Sequence, residues 1–496
     1  MKGLLPAALA LFLSSLAAAN GRIPTAVGVT YDHPQDPVLA GMTFGLLESE
    51  DGGRTYGWVC EQAIGISGAW DPQFAYLPAA SGAGKIFAST PSKGVTLSSD
   101  GGCSFVEMGA PIGHKQISRL VLGADGHTVI AATNAAGLPA GERNAVYLST
   151  DGAAFRETAI SSDTLVFDWV EPAASDPMRL YAASLSFRYD GPRLHMSRDL
   201  GRTATDVAMP EPSAHQVQIL GVERDNPDAV YVRLRVGAFG KLYKTPDAGM
   251  TWTPLFFGSI TAAAYDPSSH LLYLSAAPVR VDPCTGQNVV DDASVLRSAD
   301  GGATWQRGAT DPKPLCFGFD PDRHLFACTF NSGKTLVARS ADRGASFSPF
   351  VSVDPMVLTG TKRCPVGTPT HDLCEPLWPG LADQLGLGQG GAGGAGARTT
   401  GAIDRPRTRS LPRAGQGGCG GGGSAPPDGG LSGAPHDGAA AGNAGNVGSA
   451  GMGAGGTRPG GCASAPFGTA ASNLLLISLV FRRGRKPESR SRSVST

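Results

Sequence analysis

Seven aspartates recur along this chain inside near-copies of one short motif, and a carboxylate repeated so regularly could act as a general acid, a metal ligand or a turn-forming acceptor. The copies are SEDGGRTY from Ser49, SSDGGCSF from Ser98, STDGAAF from Ser149, SRDLGRTA from Ser197, TPDAGMTW from Thr245, SADGGATW from Ser298 and SADRGASF from Ser340. Their aspartates are Asp51, Asp100, Asp151, Asp199, Asp247, Asp300 and Asp342, separated by 49, 51, 48, 48, 53 and 42 residues. A catalytic acid or a metal ligand is needed once per site, whereas a residue present in every unit answers a requirement of every unit. The expected role is therefore structural, with Ser or Thr and Asp bonding the backbone of a tight turn, Gly supplying positive φ and the terminal aromatic packing between units. Two copies depart from the pattern, the third being one residue short and the fourth carrying Ala204 in place of the aromatic.

The units that must position these motifs read as strands. The sixth runs TAAAYDP, LLYLSAA, SVLRSADGGATW and the seventh CFGFDPDRHLFACTF, TLVARSADRGASF, short apolar and β-branched runs with Pro confined to turns. A period near fifty residues fits one four-stranded blade, so the expected fold is all-β, a seven-bladed β-propeller over residues 20–356.

These units resemble the Asp-box, or BNR, repeats of sialidases, sortilin and related propellers. The resemblance implies the propeller fold and leaves function open, because families sharing it hydrolyse glycans, bind peptides or assist assembly. Arg22-Ile23-Pro24 resembles the sialidase Arg-Ile-Pro motif, in which the arginine joins two others on the substrate carboxylate. Arg188, Arg193, Arg233, Arg235 and Tyr189 are available to complete such a site, with Arg188, Tyr189 and Arg193 in a loop and Arg233 and Arg235 alternating on a strand. A sialidase would require three arginines and a Tyr-Glu pair to converge at one channel mouth. The favoured function is binding or scaffolding at the cell surface, with a protein, peptide or glycan as partner. A sialidase-like hydrolase is the alternative, and an assembly or chaperone-like factor a further one.

No catalytic residue, cofactor or metal site is assigned from the sequence, since no phosphate-cradling loop, zinc-type Cys/His spacing or nucleophile elbow occurs. Lys plus Arg number 41 against 42 Asp plus Glu, a balance that offers no field for gathering nucleic acid. A monomer is expected.

Residues 1–19 have a charged start at Lys2, an apolar run from Leu4 to Leu16 and small residues before a cleavage point after Ala19, the pattern of a secretory signal. Export permits disulfides, and three pairings are expected from placement, with buried free thiols as the alternative. Cys316 and Cys328 flank a hairpin centred on Asp322, Cys364 and Cys374 close a Pro-containing loop within residues 357–386, and Cys60 and Cys103 follow or lie in the first two boxes of adjacent blades. Residues 387–460 are rich in Gly and Ala with few large apolar side chains, the composition of a disordered spacer. Residues 461–486 then give a Gly-Cys pair, an apolar stretch and an arginine cluster, ahead of a polar tail at 487–496. This segment resembles the C-terminal sorting signals of myxobacterial surface proteins, and the whole chain resembles uncharacterised Asp-box propellers of such bacteria. Cys462 is the expected processing or attachment residue, placing the protein at the cell envelope or outer surface, with a linker disulfide to Cys419 as the alternative.

Overall fold

The computed structural model describes residues 24–79, 83–136, 138–139, 141–186, 191–281 and 287–387. The expected signal segment 1–19 with Ala19, then Arg22 and Ile23, Arg188 and Tyr189, and the expected spacer, Cys462 and tail beyond residue 387 lie outside the described residues.

The fold is all-β. The first sheet holds Ala26–Thr30, Val38–Met42, Gly45–Ser49 and Tyr56–Cys60, in that order. Three further sheets repeat the four-stranded antiparallel order: Phe74–Leu77 to Val106–Glu107, Ile117–Leu122 to Arg156–Ser162, and Leu165–Ala173 to Thr205–Ala208. Next comes an eight-stranded sheet from Gln216–Val222 to Gln306–Arg307, and last a four-stranded sheet from Cys316–Phe319 to Ser348–Ser352. The eight-stranded sheet is two repeat units joined by one long strand, Thr253–Asp266. Its beginning pairs with Phe239–Thr245 and its end with Leu271–Val281, so it is the outer strand of one unit and the inner strand of the next.

Burial explains the sequence pattern strand by strand. Second strands such as Val38–Met42 and Val129–Thr133 are buried along their whole length, because neighbouring units cover both faces, and they are correspondingly apolar throughout. The outer strand Gln306–Arg307 is short and polar, which blunts an edge that could otherwise recruit another chain.

The inner strands form a cycle of neighbours. Ala26–Thr30 packs on Phe74–Leu77, and contact passes through Ile117–Leu122, Leu165–Ala173, Gln216–Val222, Thr253–Asp266 and Cys316–Phe319 back to Ala26–Thr30. The arrangement is a β-propeller. Box turns reinforce the cycle, each docking on the preceding unit. Gly249, at φ 96°, lies so close to Val207 that a Cβ would collide, and Gly53, at φ 90°, is as tightly placed against Phe350 of the last sheet.

The chain after the last sheet returns to the first. Leu358–Thr361 runs parallel to Tyr56–Cys60 as a fifth strand, and Lys362 then reaches Glu48 Oε1 at 2.8 Å and also Glu50. The short helix Pro369–Cys374 follows, where Thr370 Oγ1 donates to the Gly102 carbonyl at 2.7 Å. Helix Trp378–Leu385 buries Leu381 and Leu385 in an apolar cluster shared by the first sheet, the last sheet and this returning segment.

Two of the expected disulfides are corrected here. Cys60 bonds Cys374 and Cys103 bonds Cys364, in place of Cys60–Cys103 and Cys364–Cys374. Proximity in sequence favoured the local loop, but the fifth strand lays residues 362–374 across the first two sheets, so each cysteine meets a partner 314 or 261 residues away. The segment is thus a clasp on the propeller, not a self-closed loop. Cys316 and Cys328 are directly opposed on adjacent strands and are bonded to each other.

Candidate functional site

The box carboxylates are engaged by their own turns. In the sixth box Ser298 Oγ donates to Asp300 Oδ1 at 2.8 Å, the Thr304 amide donates to the same oxygen at 2.9 Å, and the Gly302 amide donates to Ser298 Oγ at 2.8 Å. The fourth box makes the same set around Asp199 despite Ala204. The short third box keeps the amides of Ala153 and Ala154 on Asp151, but Ala154 has no hydroxyl to give the second carboxylate oxygen.

These bonds favour the ionised carboxylate. The hydroxyl and amide of Thr304 lower the pKa of Asp300 from 3.8 to about 2, and those of Ser346 do the same for Asp342. A pKa depressed by folding contributes stability that is present above pH 3.8 and lost as the pH falls through the folded-state value. The melting temperature should accordingly drop between about pH 4 and pH 2, and less steeply in Asp300→Asn, which removes one of the groups that titrate there. Identical pH slopes for the two proteins in thermal melts would contradict this assignment.

With the boxes accounted for, the inner strands carry the remaining chemistry. Side chains on or beside several of them bond the next: Thr30 Oγ1 to the Phe74 carbonyl (2.9 Å), Gln73 Oε1 from the Leu120 amide (3.1 Å), Ser118 Oγ to the Phe167 carbonyl, and Thr261 Oγ1 to the Pro314 carbonyl (2.9 Å). Ser118, Asp168 and Thr261 are each the extra residue of a β-bulge, which turns a side chain out of the ladder. Asp168 differs from its two counterparts in being an acid. It accepts hydrogen bonds from the Val217 amide and the Asn134 side chain, yet burial prevails and raises its pKa to about 6.

Beside it on Leu165–Ala173 stand Trp169 and Glu171. The Arg119 guanidinium, from the preceding inner strand, lies 4.1 Å from the Trp169 ring centroid and 3.8 Å from Glu171 Oε2, and Trp169 Nε1 donates to that oxygen at 3.3 Å. Burial raises the pKa of Glu171 to about 7, opposed by Arg119. Arg119 and Glu171 nonetheless keep 26% and 25% of their side-chain surface accessible. Two buried atoms in this group have no protein hydrogen-bond partner, Arg119 Nε and Asn134 Oδ1. Perturbed carboxyls, an aromatic face and open bonding capacity together make this cluster the candidate functional site. No motif points to it in the sequence. The available signal was two acids inside an otherwise apolar strand, LVFDWVEPA.

A family scan of the sequence matches no family model, and no curated protein matches it. The fold is similar to that of a GH74 xyloglucanase from Xanthomonas campestris, with 17% identity and a TM-score of 0.47, covering 66% of this chain and 53% of that one. It is also similar to the Dos1 propeller, at 12% identity and TM-score 0.41, covering 62% and 75%. The chain spans about half the length of the xyloglucanase. Likenesses of this size concern the fold alone.

The described arginines considered for a sialidase site, Arg193, Arg233 and Arg235, do not come together. Arg193, expected in a loop, instead opens the strand Arg193–Ser197 and pairs with Asp206 on the adjoining strand, and Arg233 donates to the Ile260 carbonyl at 2.7 Å in a different unit. Arg235 is exposed. Among the described residues, Asp320, Asp322 and His324 bring ligand atoms within 4.8 Å of one another. Arg339 bonds Asp320 and approaches His324 Nδ1 at 2.7 Å, so a guanidinium already occupies the position a cation would take.

Proposed function

We propose that this protein is an exported binding module, a seven-bladed propeller that takes a peptide or glycan at the inner-strand cluster of Arg119, Asn134, Asp168, Trp169 and Glu171. The observation that carries the reading is the pair of buried, unpartnered polar atoms, Arg119 Nε and Asn134 Oδ1, set beside an aromatic and two carboxyls. A ligand offering both acceptor and donor groups would satisfy them, and Trp169 would supply contact area. Seven box motifs and the cyclic order of inner strands support the blade count.

The test is a peptide and glycan array probed with the purified protein, followed by affinity measurement on the best ligand. Trp169→Ala should weaken binding by at least about tenfold, corresponding to roughly 1.4 kcal/mol. Hydrolysis of the bound ligand, abolished in Asp168→Asn, would replace the binding reading with an enzymatic one.

Disulfides among the described residues support export, and the tail from residue 388 onward is proposed to tether the propeller to the envelope through Cys462. Among the described residues no helix is long and apolar enough to cross a membrane. Cell fractionation of Cys462→Ser should find the protein released into the medium, and wild-type attachment would end the proposal.

A further inference from the structure

Three arginines line a cleft between the sixth unit and the seventh box. Arg297 lies on Ser294–Ser298, Arg307 ends the outer strand Gln306–Arg307, and Arg343 sits in the box turn after Asp342. The two walls are fastened together, since the Ala309 amide donates to the Gly344 carbonyl at 2.9 Å and Gly344 packs on Val295. Some arginines elsewhere meet carboxylates, as Arg179 does Asp228, Arg280 Asp291 and Arg323 Asp266, while others, such as Arg156 and Arg233, bond backbone carbonyls. At this cleft, among the described residues, none of the three forms an ion pair. Arg297 donates to the neutral Gln306 side chain and Arg307 to the Asp292 carbonyl at 3.1 Å, leaving most of their donors free. The Asp342 carboxylate is held by Ser340 and Ser346 of its own turn.

Arg343 is anomalous on independent grounds. The residue after the box aspartate has positive φ in all seven boxes, and four times it is glycine: Gly52, Gly101, Gly152 and Gly301. Of the exceptions, Leu200 packs against an apolar cluster and Ala248 is buried, its amide donating to the Asp228 carbonyl at 2.7 Å. Arg343, at φ 59°, is exposed and has no such packing role. A long cationic side chain held in the left-handed region without a structural return points to a use outside the fold.

We propose that the cleft of Arg297, Arg307 and Arg343 binds a tetrahedral oxyanion, a phosphate or sulfate group. One guanidinium saturates a carboxylate through a two-pronged contact, whereas three donors arrayed around a cleft match the several oxygens and higher charge of a tetrahedral group.

Titration calorimetry of the full protein with inorganic phosphate and with inorganic sulfate, at ionic strength held constant with chloride, tests this. Saturable binding of either anion is expected, and the tighter of the two identifies the ester class. Arg343→Gly installs the residue that four other boxes carry, so it should melt no lower than the wild type while losing affinity by about tenfold or more. Arg297→Gln should weaken binding similarly. The site is refuted by absence of saturable binding of both anions, or by unchanged affinity in Arg343→Gly.

Discussion

Replacing Cys60 and Cys374 together by serine should lower the stability of this propeller by about 4 kcal/mol, as should the corresponding replacement of Cys103 and Cys364. Both bridges close very long loops, of 314 and 261 residues, so each removes much chain entropy from the unfolded state. Their position adds to the effect. Without the clasp, the outer edge of the first sheet at Tyr56–Cys60 loses its fifth strand, and Leu381, Leu385 and Trp378, whose ring centroid is 5.9 Å from that of Trp58, lose their apolar partners. Proteins of this kind have only about 5–15 kcal/mol in hand, so loss of both bridges should leave a chain that aggregates on warming. Urea melts of the two double variants and the quadruple variant check the expectation, and quadruple-variant stability equal to wild type would show that the clasp is merely an appendage.

Substitution of Glu171 by glutamine should have the opposite sign. The folded-state pKa of Glu171, about 7, lies above its ordinary 4.5, so the ionised form is disfavoured in the fold, and this residue's contribution falls as the pH rises from 4.5 through 7. Glutamine resembles the protonated acid and does not titrate. Glu171→Gln should therefore be more stable than wild type at pH 8, by up to about 3 kcal/mol, and nearly equal to it at pH 4. The same variant should bind the propeller's ligand more weakly. Retaining a carboxyl that lowers stability at neutral pH makes sense if that carboxyl is used, and the trade between stability and function is a familiar one. A variant less stable than wild type at pH 8 would instead make the Arg119–Glu171 contact a net structural support.

How much could be read from the sequence follows from what each feature depends on. The box turns depend on residues within a few positions of one another, so Asp51 to Asp342 and their turn-forming role were legible from spacing alone. Strands were legible because coverage on both faces demands apolar runs such as LLYLSAA in Leu271–Val281. The pairing of Cys60 with Cys374 was not, since it depends on where a returning strand docks, and local spacing at Cys364 and Cys374 suggested a different answer. The Arg119, Asp168 and Glu171 cluster was hidden for a related reason. Asp168 is placed by a β-bulge and Arg119 by contact between two units, and neither leaves a periodic trace. Arg343 stands at a box position the motif leaves open, so its positive φ, and its neighbours Arg297 and Arg307, became evident only once the units were set side by side.

The claim on which the rest depends is that the chain closes on itself, with residues 358–385 fastened across the first two sheets. Mass spectrometry of peptides from the unreduced protein tests it most directly. The account predicts linked peptides joining Cys60 to Cys374 and Cys103 to Cys364. Recovery of Cys60 linked to Cys103, and of Cys364 linked to Cys374, would contradict it.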